Sequence, residues 1–133
     1  MAVKVLVVDK NIDAAMAFIG SLGQGEVDIV FVQHSERAIT NLRKTPYSLV
    51  ILGDKLVNQG DTFDVGLELK QSNVNRHTPI VCMGAHKSRQ KKLVNLLRPY
   101  SYLVNMADPK DVEVCIKKIR ERLVAPSLRA EKK

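Results

Sequence analysis

Apolar positions fall into two alternating rhythms along the chain. Short runs rich in valine, isoleucine and leucine read as strands: Val3 to Val8 ("VKVLVV"), Val27 to Val32 ("VDIVFV"), Leu49 to Leu52, Pro79 to Met83 ("PIVCM") and Ser101 to Val104 ("SYLV"). Between them the spacing turns helical. Ile12, Ala15, Met16, Ile19 and Leu22 follow the i, i+3, i+4, i+7 rule behind a capping Asn11, and Gly23 and Gly25 end that helix. Ser35 caps a short helix carrying Ala38, Ile39 and Leu42, stopped before Pro46. A weaker helix is predicted over about Thr62 to Gln71, interrupted by Gly66, and another behind Ser88 with Leu93, Leu96 and Leu97. Asp108-Pro109 is a strong helix start, an N-cap carboxylate followed by a proline whose missing N–H is harmless in the first turn. Val112, Cys115, Ile116, Ile119 and Leu123 supply that helix's apolar stripe. Pro126 is expected to end it, which divides the chain into one domain at 1–125 and a basic, flexible tail at 126–133.

Strand and helix therefore alternate five times, as (βα)5. Alternation at this spacing requires parallel strands, right-handed crossovers and helices on both faces of the sheet. The fold class is α/β, a flavodoxin-like doubly wound five-stranded sheet with strand order 2-1-3-4-5. Such sheets place ligands at the carboxyl ends of their strands, beside the switch point between the first and third strands. Asp9, Lys10, Gly53, Asp54, Gly84 and Asn105 are predicted to meet there.

A length of 133 residues suits one domain, and 45% hydrophobic with 26% charged residues is the make-up of an ordinary globular protein. The apolar runs are too short to span a bilayer, and Met1-Ala2-Val3-Lys4 leads straight into a strand, so the sequence predicts a cytoplasmic protein. Cys82 and Cys115 lie within apolar periodic segments and read as buried free thiols; no spaced His/Cys cluster suggests zinc. The net charge of +7 is unevenly spread: His86 to Pro99 holds Lys87, Arg89, Lys91, Lys92 and Arg98 with no acidic residue. His34, His77 and His86 sit at loop positions without partners in sequence.

Several activities of this architecture lack their motifs. "DKNIDA" after the first strand is not the Ser/Thr-rich phosphate loop that holds FMN. There is no G-x-G-x-x-G after a strand, no G-x-x-x-x-G-K-[ST] and no G-x-S-x-G. No nucleophile–base pair supports an enzyme. What the chain does offer is "KVLVVDKNIDAAM", "YSLVILGDKLV", "TPIVCMGA" and "YSYLVNMADPKDVEVCIKKI", in that order. Together, across residues 3 to about 124, they resemble the strands and last helix of response-regulator receiver domains.

That resemblance implies a pocket for transfer of a phosphoryl group from a histidine kinase to an aspartate, and most of the pocket has changed. Gly53 stands at the acceptor position. Asp9 keeps one of the paired acidic residues that help hold Mg²⁺, while Lys10 replaces the other. Gly84 stands where the family has a hydroxyl residue, Asn105 where it has a lysine, and Met106 where a proline follows. Tyr102 keeps the aromatic switch position. An aspartyl phosphate needs a carboxylate nucleophile, a divalent cation and donors for the phosphoryl oxygens. The expectation is thus a degenerate, stand-alone receiver, a bacterial signalling module of a two-component or phosphorelay pathway. It would act by protein–protein contact with no catalytic residue and no cofactor, and Lys10 would place its ammonium beside Asp9 in place of the metal. The competing reading has a bulge at Gly53 bringing Asp54 inward, so that Asp9 and Asp54 hold Mg²⁺ and Asp54 is phosphorylated. The stretch "LVNQGDTFDVGLEL" departs from the family here: Val57 stands in for its proline, and the loop looks a few residues longer.

In the family the face of the fourth helix, fifth strand and fifth helix serves dimers and targets. Here it carries Lys87, Arg89, Lys91, Lys92, Tyr102, Lys117 and Arg120, which predicts an acidic protein partner or self-association. Nucleic acid binding through the basic fourth helix is the other class. It is disfavoured by the absence of tryptophan, the 5% aromatic content and the lack of any reading motif.

Overall fold

The valine-rich strand β1 (Val3–Val8) lies between β2 (Val27–Val32) and β3 (Leu49–Leu52), parallel to both. β4 (Ile80–Met83) and β5 (Ser101–Val104) extend the sheet, giving the order β2-β1-β3-β4-β5. The computed structural model describes residues 3–23, 25–53, 62–83 and 88–131, with the side chains of 88–90 and 124–131 left outside that description. The connecting helices are α1 (Asp13–Leu22), α2 (Ser35–Lys44), α3 (Thr62–Gln71), α4 (Ser88–Leu97) and α5 (Pro109–Glu131). Strand order and alternation are those predicted. Val8 stands opposite both Val32 and Leu52, so the chain leaves β1 and β3 at one level, with Asp9 beside Gly53.

The core has two halves because side chains alternate across the sheet. Leu6, Val8, Val50, Leu52, Ile80 and Cys82 pack with α2, α3 and α4. Val5, Val7, Leu49, Ile51, Val81, Met83 and Val104 pack with α1 and α5. Both faces are covered, so β1 and β3 need apolar residues at consecutive positions, which is why they read as unbroken runs. The two free cysteines are buried on opposite faces of the sheet, Cys82 in one half of the core and Cys115 in the other. Burial pushes both thiols up to about 12, with the carboxylate of Asp111 adding to the effect at Cys115. Among the described residues no helix is long and apolar enough to cross a membrane.

The helices differ from the sequence reading in several places. On α1, Phe18 is wholly buried and joins Ala15, Ile19 and Leu22, while Met16 is 44% exposed. The true stripe is 15, 18, 19 and 22, and the aromatic supplies the area that the methionine was expected to give. The residue before α2 is His34 in extended backbone, so Ser35 is the helix's first residue and not its cap. On α4 the buried residue beside Leu93 and Leu97 is Val94, with Leu96 only half-buried. The last helix does not stop at Pro126 but continues to Glu131. A proline there removes one hydrogen bond, while Leu128, Arg129, Ala130 and Glu131 are strong helix formers that carry the segment on. Asp108 accepts the Lys110 N–H at 3.1 Å and α1 closes on Gly23 at φ 68°, whereas the residue before α1 is Ile12 and the expected cap Asn11 lies one position further out, accepting the Asp13 N–H at 2.8 Å. Gly66 lies where α3 meets α4: a Cβ there would stand 2.5 Å from Leu93 Cδ1, so the leucine side chain would have to shift.

The loop between α3 and β4 is held by a residue that sequence reading passed over. Asn75 is wholly buried. Its amide nitrogen donates to the Leu42 and Thr45 carbonyls at 2.8 and 2.9 Å, closing the end of α2. Its oxygen accepts the Tyr47 N–H at 2.9 Å and the Thr78 hydroxyl at 3.1 Å, fixing the starts of β3 and β4. Truncation would leave two carbonyls and one N–H buried without partners. Asn75→Ala is therefore expected to destabilise the domain by roughly 3 kcal/mol in urea denaturation. A loss within experimental error of zero would mean that water reaches these groups.

Candidate functional site

The carboxyl ends of β1 and β3 build the site predicted at the switch point. The Asp9 N–H bonds to the Val32 carbonyl at 3.2 Å, and the Gly53 N–H to the Val8 carbonyl at 2.8 Å, so backbone pairing fixes both residues. The Asp9 side chain then turns over Gly53. A Cβ built on Gly53 would overlap the carboxyl carbon of Asp9 and both its oxygens. The space in which any side chain at position 53 would begin is already filled by the Asp9 carboxylate. Asp9 Oδ1 accepts the main-chain N–H of Lys10 at 2.7 Å, which holds the carboxylate in this orientation. The Lys10 side chain is exposed and its carbonyl accepts a hydrogen bond from Gln33 Nε2 at 3.0 Å. The main-chain N–H of Lys10 thus joins it to Asp9.

Asn105, at the end of β5, is committed to its own loop. Its side-chain oxygen accepts the Ala107 N–H at 3.0 Å and its carbonyl the Asp108 N–H at 3.0 Å. Its own N–H donates to Asp111 Oδ2 at 2.6 Å. These bonds bring β5 onto the start of α5, a structural role for the position where a receiver's lysine would reach the pocket. Met106 packs half-buried beside the α1–α5 half of the core. Asp54, Gly84, His86 and Lys87 lie outside the described residues, as does the loop at 54–61 with its expected lengthening; so does the side chain of Arg89. Among the described residues no three His, Cys, Asp or Glu side chains are grouped to hold a metal ion. The described residues do not fit the Mg²⁺ site of the family, since the carboxylate they bring to it, that of Asp9, lies in the cradle above Gly53.

A second feature lies along α4, β5 and α5. A groove of about 450 Å³ runs between the helices over the edge strand. Lys91, Val94, Asn95 and Arg98 form one wall at i, i+3, i+4 and i+7; Asp111, Val114, Cys115 and Lys118 form the other at the same spacing. Ser101, Tyr102 and Leu103 are its floor. Val114 is 52% exposed, an apolar contact with no cover in the monomer. The Tyr102 hydroxyl accepts Arg122 Nε at 3.2 Å.

The groove contains part of what the sequence pointed to. Lys91 and Tyr102 line it, and Lys92 is an exposed neighbour. Arg120 belongs elsewhere: its guanidinium donates to the Leu22 and Ser21 carbonyls at 2.8 Å each, closing the C-terminal end of α1. Lys117 is exposed, but the cation on the groove's α5 wall is Lys118. Arg98, Val114 and Lys118 were legible as groove residues only by extending the helical spacing from Lys91 and Asp111.

No protein-family model matches the sequence, and no curated protein sequence matches it. Solved structures do match in shape. A response regulator from Hahella chejuensis is similar at 24% identity and TM-score 0.65, covering 91% of this chain and 94% of that one. The phosphorylated cyanobacterial phytochrome response regulator RcpA is similar at 17% identity and TM-score 0.70, over 95% and 96% of the two chains. The receiver domain of a sensor histidine kinase from Pseudomonas aeruginosa, with magnesium in its active site cleft, is similar at 14% identity and TM-score 0.68, over 92% and 98%. The chain has the fold of response-regulator receiver domains.

Because Asp9 occupies the space above Gly53, the two positions are coupled. Gly53→Ala is expected to destabilise the domain by about 1–3 kcal/mol through overpacking. Asp9→Gly should relieve much of that loss in the double variant, giving a coupling of about 1 kcal/mol or more in urea denaturation. Strict additivity of the two single changes would show that the carboxylate is free to leave the cradle.

Proposed function

We propose that this chain is a receiver-fold signalling module that works by protein contact and does not undergo standard aspartyl phosphorylation. The observation that carries the reading is the Asp9 carboxylate lying where a side chain on Gly53 would begin. A residue at the β3 end has neither an acceptor side chain nor the room for one, and the side-chain oxygen and main-chain N–H of Asn105 are tied to the β5–α5 loop. The second reading, phosphorylation on Asp54 with Mg²⁺, is separated from the first by experiment. Incubation with acetyl phosphate and Mg²⁺ is expected to leave the intact mass unchanged, and melts with EDTA or millimolar Mg²⁺ are expected to coincide. A stoichiometric phosphoryl adduct lost in Asp54→Ala would sink the proposal.

The working surface under this proposal is the α4–β5–α5 groove, and its partner is an acidic protein surface or a second copy of the chain. Lys91, Arg98 and Lys118 steer a negative surface, while Tyr102 and Val114 supply contact that excludes water. Exposed lysines alone are weak and screened by salt, so the apolar floor and wall are what make the groove a docking site. Lys91→Glu combined with Lys118→Glu, and separately Tyr102→Ala, are expected to weaken partner capture or self-association about tenfold or more in pull-down and sedimentation, with the fold retained. Wild-type behaviour in all of them, with loss on substitution of Asp9, would move the working surface to the old pocket rim.

A further inference from the structure

A second groove, of about 430 Å³, opens at the opposite end of the sheet, where β3 and β4 begin. Tyr47, Thr78 and Pro79 form its base, and Arg76, His77 and Arg122 stand around it. No acidic residue lines it among the described residues. A smaller hollow adjoins it through the shared Arg76 and adds Lys70 and Arg98, again with no carboxylate in its lining.

Arg122 and His77 both stand beside one ring. The Arg122 guanidinium carbon lies 5.0 Å from the centroid of Tyr100, and the His77 ring is 5.2 Å from the same ring. Arg122 also donates Nε to the Tyr102 hydroxyl and lines the groove. The ion pair among the described residues joins Arg43 to Glu68, so Arg76, Arg98 and Arg122 have no carboxylate partner within ion-pair distance there. Uncompensated arginines on a half-buried aromatic base repel one another, and an anion removes that repulsion. Guanidinium forks match phosphate oxygens in pairs, and a volume of this size suits a small molecule.

We infer that this lower groove is a binding site for a small phosphate ester, held by Arg76 and Arg122 with His77 beside them. It is separate from the old acceptor pocket, which lies at the other end of the strands, and it does not depend on the function proposed above. The base offers Tyr47 and Val74 to the apolar part of the ester.

Titration of the ¹⁵N-labelled full chain at constant ionic strength tests this, with phenyl phosphate and inorganic phosphate as probes. Saturable shifts are expected at Arg76, His77 and the Arg122 side chain, with phenyl phosphate the tighter. Arg122→Gln and, separately, the exposed Arg76→Gln should each weaken phenyl phosphate about tenfold or more, while Lys92→Gln leaves it unchanged. The Arg76 variant decides the matter if Arg122→Gln fails to fold. Shifts that do not saturate, or equal losses in the Lys92 variant, overturn the proposal as general attraction to a basic protein. Random duplex DNA binding at micromolar concentration, with shifts spread along α4 and displacement of phenyl phosphate, overturns it in favour of a polyanion surface.

Discussion

Withdrawal of β1 and β3 from water on both faces is the constraint on which the rest of this structure depends. Val5 to Val8 and Leu49 to Leu52 are fully buried, half of them beneath α1 and α5 and half beneath α2, α3 and α4. No residue along these strands can carry polar chemistry without a heavy desolvation cost. Function is thereby pushed to the strand ends and to the sheet's edges. The carboxyl ends hold Asp9 and Gly53, the amino ends the cationic groove, and the edge strand β5 the groove floored by Tyr102.

At the carboxyl ends Gly53 and Asp9 share one volume. Gly53 provides the space that the Asp9 carboxylate fills, and Lys10 holds that carboxylate through a main-chain N–H. A side chain placed at position 53 would begin in the space of the Asp9 carboxylate, so one of the two would have to move. The space at Gly53 and the orientation of Asp9 are one feature, and the bonds of Asn105 to the loop before α5 are a second.

The fold was readable because burial sets hydrophobic spacing directly. Unbroken apolar runs marked the doubly covered strands, and the 112, 115, 116, 119 and 123 spacing marked the inner face of α5. What escaped reading depends on volume or on distant partners. The turn of Asp9 over Gly53 uses a space that a glycine code does not describe. Asn75 sits in "SNVNRHT", which reads as a polar turn, yet its four side-chain hydrogen bonds go to residues near in space and 3 to 33 positions away in sequence. Arg120 looked like an exposed cation because its acceptors on α1 lie 98 and 99 positions away. The extension of α5 past Pro126 shows a weaker signal losing to the propensities of the residues after it.

The charge pattern gains a different meaning from this geometry. The sequence places its conspicuous cationic run on α4, but that run is split by the helix: Lys91 and Arg98 face the upper groove, while Lys92 points to solvent. Arg98 also lines the hollow beside Tyr100 that adjoins the lower groove. Arg122 and Tyr102 meet in one hydrogen bond, with the arginine lining one groove and the tyrosine the other. In a domain whose interior is close-packed and covered on both faces, such an edge contact is among the few places where two sites can share a side chain without disturbing the fold.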